Sequence, residues 1–265
     1  MAYTYEQIVD AYRAVGVAPG EVVYVLGNIG NLWTFEEPGK EAVLRAHYNA
    51  LIETLGPEGT LVCSAASLNL CNTDIVFDPD KTPSNMAGTL SEYIRQQPGT
   101  LRSFHPFRSY CAVGRHATYI TQDISRAAYG PFSPEARLIE LNAITLAVGI
   151  TPREATSTVH HCEQMMAVPY RYMKEFLHPV ARNGVIVTEP FYLYVWYKNS
   201  DIVRDKCRTI MADFLETHGA ASAPLGRRHV YSFRTRLFYE HVIELMKSNP
   251  YIWCETPPTV RPWQQ

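Results

Sequence analysis

Neither sign of charge dominates this sequence: 24 Lys and Arg stand against 26 Asp and Glu. A chain this close to balance has no general pull toward nucleic acid or anionic membrane, so neither is expected as a partner. No apolar run reaches the length of a membrane-spanning helix, and the opening MAYTYEQIVDAY lacks the basic start and apolar stretch of a secretory signal. A cytoplasmic protein is expected. The six cysteines (Cys63, Cys71, Cys111, Cys162, Cys207 and Cys254) form no CxxC pair. That spacing argues against a zinc site, and a chain of this length needs no disulfide staples. The cysteines read as small buried apolar residues, and no metal is expected.

Nucleotide and hydrolase signatures are missing as well. GNIGNLW follows an apolar run but lacks GxGxxG spacing, and neither GxxxxGK[ST] nor GxSxG occurs. What is present is an alternation of apolar runs with helical patterns. TYEQIVDAYRAVG has capping-box spacing at Thr4 and Gln7, with Gly16 as a stop. GEVVYVLGN, GTLVCSAAS, SYCAVG and ITLAVG read as buried strands. GKEAVLRAHYNALIETLG, GTLSEYIRQQPG (capped by Thr89 with Glu92) and SPEARLIEL (Ser133 cap, Pro134 first) read as the intervening helices. The expected fold is α/β: one domain over 1–265, with a central, largely parallel or mixed sheet and helices on both faces. In the last third, GVIVTEPFYLYVWYK and GRRHVYSFRTRLFYEHVIELM read as extended strands. Arg204 to His218 and Tyr239 to Asn249 read as helical. This part suits an antiparallel C-terminal extension, and its aromatic content could serve an interface in a homo-oligomer.

The segment STVHHCEQ concentrates chemistry. His160 and Glu163, three residues apart, share one face of a helix. A carboxylate can hold an imidazole in one tautomer and support the cation formed on proton uptake, leaving the other ring nitrogen to deprotonate a nucleophile supplied by substrate. The competing reading is a polar helix start with no catalysis in it. His161 points elsewhere and suits packing. Nothing marks Cys162 as an activated thiolate, and adjacent histidines cannot easily converge on one metal.

A second segment, GTLRSFHPFRSYCAVGRHA, joins TSTVHHCE, LIETLGPEGTLVCSAAS, FDPDKTPSNMAGTLSEYIRQQPG and YGPFSPEARLIELNAITLAVGI in one order. Together they resemble the aminoglycoside 3-N-acetyltransferase family, over much of the chain up to about Tyr170. The resemblance implies a coenzyme A-dependent N-acetyltransferase. Such an enzyme moves an acetyl group from acetyl-coenzyme A, the co-substrate, to the amine of a small acceptor such as an amino sugar or an aminoglycoside-like compound. It implies His160 and Glu163 as catalytic residues. Arg102, Ser103, His105 and Ser109, in RSFHPFRS, fall in the region that shapes the cleft and receives the cofactor. After the first strand the family carries an HSS-like segment, whereas this chain has Leu26, Gly27 and Asn28. Asn28 is the cofactor-binding candidate there. The change leaves open another thioester donor (a carrier protein, for instance), another acceptor, or a catalytically silent binding protein. Asp74, Asp78 and Asp80 could attract a cationic amine or simply satisfy turns. Tyr129, Trp33 and Trp196 could line a pocket or fill core.

Overall fold

The computed structural model describes residues 2–264. The first helix, α1 (Tyr5–Ala14), begins with the expected capping box: Thr4 accepts from the Gln7 amide, and the Gln7 side chain accepts from Thr4. Strand β1 (Val22–Gly27) follows, then α2 (Lys40–Leu55), β2 (Thr60–Ser64), α3 (Gly88–Arg95), the two-residue β3 (Leu101–Arg102), β4 (Tyr110–Gly114), α4 (Ala117–Thr121), α5 (Pro134–Glu140) and β5 (Ile144–Val148). Helix α6 (Thr158–Met165) leads into a long hairpin of β6 (Arg171–Arg182) and β7 (Val185–Trp196). The chain ends with α7 (Arg208–His218), β8 (Ala221–Leu225), β9 (Arg228–Arg234), α8 (Thr235–Ser248) and a segment without long elements.

The main sheet runs β3-β4-β2-β1-β5-β9-β8. Only β1 pairs in parallel, with β2 on one side and β5 on the other; the outer pairings are antiparallel. The sheet is therefore mixed, with a parallel centre, and the antiparallel extension lies at its β9–β8 edge. The continuous apolar runs of the centre have a simple cause. Val23, Val25, Leu61 and Leu146 pack against Ile8, Tyr12, Leu51 and Leu55 on one face. Val22, Tyr24, Val62 and Tyr110 pack against Ile120 and Leu138 on the other. A strand covered on both sides has no polar alternation to show.

Three expectations need correction. The Thr89–Glu92 cap does not form: α3 starts at Gly88, and the Glu92 carboxylate accepts from the Ser84 amide and from Arg95. The extended reading of GRRHVYSFRTRLFYEHVIELM stops at Arg234, because Thr235, Phe238, Val242 and Met246 are buried at helical spacing. The helix expected from Arg204 starts at Arg208, since Lys206 and Cys207 have left-handed backbones (φ 52 and 60).

Candidate active site

His160 and Glu163 come together on α6, where Nδ1 of the ring lies 2.9 Å from Oε2 of the carboxylate. Glu163 is wholly buried, whereas about a quarter (26%) of the His160 side chain remains open. Two other residues hold the carboxylate through three contacts. Tyr170 donates its hydroxyl to Oε1 at 3.0 Å, and Arg171 donates Nε to Oε1 and an NH2 to Oε2, both at 2.8 Å. That NH2 also stands 3.3 Å from His160 Nδ1. A single ring nitrogen cannot donate to Glu163 and accept from Arg171 together. The shorter bond to the carboxylate assigns the proton to Nδ1 and leaves the Nε2 lone pair free.

Aromatic rings frame this imidazole. Trp253 meets it edge to face at 5.4 Å and Tyr129 lies at 5.8 Å. Arg171 is stacked between Trp196 (4.7 Å) and Trp253 (5.3 Å), and Trp253 donates its indole N–H to Cys207 Sγ. Burial lowers the His160 pKa. Glu163 opposes that shift, and the positive charges of Arg171 and Arg108 reinforce it. The ring is therefore neutral at pH 7, the state a proton acceptor needs.

Beneath α6 a second carboxylate is sealed in. Glu135, at the start of α5, accepts from Tyr110 at 2.5 Å and from Thr158 at 2.6 Å, and burial raises its pKa. Thr158 opens α6, so this link fixes the helix that carries His160. Ser133 and Pro134 begin α5 as expected, with Ser133 Oγ accepting from the Ala136 amide.

The RSFHPFRS segment is drawn inward. Arg102 donates to the carbonyls of Pro79, Thr82 and Ala65 and to Ser109 Oγ. Ser109 donates to Ala65 O, and Ser103 Oγ accepts from the Tyr110 amide. His105 is buried, its Nδ1 accepting from the amides of Phe107 and Arg108. Burial depresses its pKa to about 3, so it stays neutral. These four residues tie the loops around β2 to β4, and their polar groups are largely engaged within the protein. Arg108, in the same stretch, is the one that faces open space. It lines a cavity of about 250 Å³ with Tyr24, Gly27, Ser64, Gly88, Tyr110 and Ser157.

The substituted LGNIG segment follows β1. A Cβ at Gly27 would stand 2.5 Å from the Val148 carbonyl oxygen, so the close approach of β1 and β5 requires glycine there. Asn28 lines a different cavity, of about 500 Å³, with Trp33 and Lys40. Trp33 is exposed and covered by Arg227 at 3.8 Å. The acidic loop lies apart again. Asp78 and Asp80 line a cavity of about 970 Å³ against Arg182, and Asp78 pairs with Lys81. Trp196 stacks on Arg171 and Arg204. His161 accepts from the Gly130 amide, and burial pushes the Cys162 thiol well up, which leaves it without nucleophilic character. No grouping of three or more metal-binding side chains occurs among the described residues.

Sequence reasoning missed Arg171, Tyr170 and Trp253. Arg171 and Tyr170 arrive at the start of a strand, outside the helical spacing that exposed His160 and Glu163. Trp253 lies past the end of the last long helix, α8. No local pattern joins them to α6.

A neutral histidine with an unbonded Nε2, backed by a buried carboxylate, is an arrangement that lets an imidazole accept a proton. The family model for aminoglycoside 3-N-acetyltransferases matches residues 35–247, and the chain belongs to that family. By class it is a coenzyme A-dependent N-acetyltransferase. It is 34% identical to aminoglycoside N(3)-acetyltransferase IV of Salmonella sp. over 254 residues, covering 95% of this chain and 90% of that relative. A shorter match, 35% over 106 residues, aligns 40% of this chain with 36% of aminoglycoside N(3)-acetyltransferase VII of Streptomyces paromomycinus. Among solved structures, the AAC-IIIb binary complex with CoASH superposes with a TM-score of 0.80 at 21% identity, covering 97% of this chain and all (100%) of that one. No helix among the described residues is long and apolar enough to cross a membrane.

Proposed function

We propose that this chain, acting as one domain over 1–265, moves the acetyl group of acetyl-coenzyme A to the amine of a small acceptor, with His160 as the base. The carrying observation is the free Nε2 of a neutral imidazole whose Nδ1–H is pinned by Glu163. Acetyl-coenzyme A supplies an activated carbonyl and a thiol leaving group. His160 Nε2 accepts the amine proton as the N–C bond forms, and returns it to the departing sulfur as the C–S bond breaks. Glu163 holds the ring and stabilises its transient positive charge. Tyr170 and Arg171 hold Glu163. Backbone amides bordering the Arg108 cavity are the donors suited to the developing oxyanion.

The donor has a suitable path. A second cavity of about 250 Å³ carries Arg227, Arg228 and His229, and it shares Ile150 and Glu154 with the Arg108 cavity. Those cations suit the donor's phosphates. We assign Arg102, Ser103, His105 and Ser109 to shaping this cleft by tying the loops around β2 to β4, whereas Asn28 lines a separate cavity outside this path. The cytoplasm, where acetyl-coenzyme A is made and used, is the compartment that suits this reaction.

Two measurements test the reading. Thiol release from acetyl-coenzyme A with a panel of amines should require enzyme and amine together, and coenzyme A should raise the melting temperature. Turnover only with a carrier-bound thioester would replace the donor, and no turnover with either would remove the function. The pH profile is also fixed in sign. Protonation of His160 removes the base, so log kcat/KM should steepen on the acid side at a bend below pH 6.5, the direction of its shift. A profile with no bend in that range would exclude His160 as the base.

A further inference from the structure

Arg108 is unlike the other inner arginines. Arg102, Arg137 and Arg171 place their guanidinium N–H groups on carbonyls or carboxylates. Among the described residues no acceptor lies within hydrogen-bond reach of the Arg108 guanidinium, although the residue is part-buried. It faces the cavity between the ends of β1 and β2, the start of α3 and the approach to α6. Burial is the main cause that lowers the pKa of His160, and the charge of Arg108 adds to it after that of Arg171.

The nearby carboxylates are all engaged. Glu135 is closed off by Tyr110 and Thr158, Glu163 by Arg171, Tyr170 and His160, and Glu154 by the amide and hydroxyl of Thr151. A second group waits for a partner. The Tyr129 hydroxyl is buried and unbonded among the described residues, with its ring beside His160. It lies in the field of Arg108. A part-buried guanidinium without a counter-charge is costly, and an anion that fills its fork relieves that cost. A polycation brought to the same place meets repulsion.

Resting on the acetyl-transfer reading, we infer that Arg108, assisted by Tyr129, receives a carboxylate or phosphate carried by the acceptor. The preferred acceptors are then amines bearing an anionic group, such as phosphorylated or carboxylated amino sugars, and not polycationic aminoglycosides. Arg108 is thus a specificity-determining residue in a cavity that reaches Ser157, at the start of the helix that carries His160.

The experiment compares glucosamine 6-phosphate, glucosamine and the polycation sisomicin as acceptors. The wild-type enzyme should favour the phosphorylated amine over glucosamine by about tenfold or more in kcat/KM, as befits a charge-assisted contact. Arg108→Gln should collapse that ratio to within about twofold, chiefly through KM for the phosphorylated amine. Arg108→Lys, which keeps the charge but loses the fork, should fall between. Equal or higher kcat/KM for glucosamine or sisomicin in the wild type overturns the inference. So does an Arg108→Gln effect confined to the KM of acetyl-coenzyme A, which would make the anion the donor's. A kcat loss shared by all acceptors overturns it too, as a role in the chemistry itself. Absence of turnover with every amine removes the acetyl-transfer reading but not this one. Calorimetric binding of glucosamine 6-phosphate, lost in a folded Arg108→Gln or weakened in Arg108→Lys, then decides it, and undiminished binding refutes it.

Discussion

Alanine in place of His160 should lower kcat by about 10²- to 10⁴-fold, the range that a positioned general base contributes. The fold should survive, because the ring is partly open and α6 is anchored from below by Thr158 and Glu135. The substitution does remove the edge contact with Trp253, so a fall in melting temperature of a few degrees is expected. Coenzyme A should still stabilise the folded variant, since nothing in the proposal assigns donor affinity to the imidazole. The split between a large kcat loss and retained donor binding separates catalysis from misfolding. Glu163→Gln should fall between wild type and His160→Ala. An amide oxygen can still accept from Nδ1–H, but it offers no negative charge to the imidazolium. Turnover undiminished in a well-folded His160→Ala would end the base assignment even if acetyl transfer were real.

Much of the framework that presents this histidine is legible in the sequence, for reasons that differ by element. β1, β2 and β5 announce themselves as apolar runs because both faces of the sheet are covered. α1 and α5 announce their starts because Thr4 and Ser133 cap them locally. β6 does not. From Tyr172 to Leu177 its residues alternate between exposed and half-buried, it carries Pro179 in the strand, and its partner β7 supplies the order. α8 begins where a strand pattern ends, with no turn residue between Arg234 and Thr235; the change of period is the only sign.

The site divides in the same way. His160 and Glu163 were found together because a helix makes three-residue spacing into contact. RSFHPFRS marked a real structural centre, yet its composition could not say which polar groups would turn inward. The Arg102 fork bonds carbonyls of two other loops, whereas Arg108, six residues later, bonds nothing among the described residues. That difference depends on where the 65–67 and 79–82 loops pass, which is a property of the whole sheet. Trp253 lies more than ninety residues beyond His160 and reaches it only because the C-terminal segment folds back over α6 and β7.

The Glu163–Arg171 pair should produce the largest stability effects in the molecule. Both side chains are essentially shut off from solvent (0% and 7% exposed), and their hydrogen bonds are near ideal length. Taking charges out of water is costly, and each partner compensates the other. Arg171→Met should therefore destabilise the fold by about 3–5 kcal/mol, because it leaves the buried carboxylate with only Tyr170 and His160. Glu163→Leu should cost a similar amount by stranding the guanidinium between Trp196 and Trp253. The double variant removes both charges at once. Its loss should be clearly smaller than the two single losses combined, with a coupling of about 1–3 kcal/mol in urea unfolding. Activity should not follow stability back. Without the carboxylate nothing fixes the Nδ1–H tautomer, so the more stable double variant should remain as slow as Glu163→Leu. Additive losses would mean that Arg171 is held by its aromatic stack and the Tyr194 carbonyl alone. Recovery of activity in the double variant would mean that His160 needs no carboxylate to hold it.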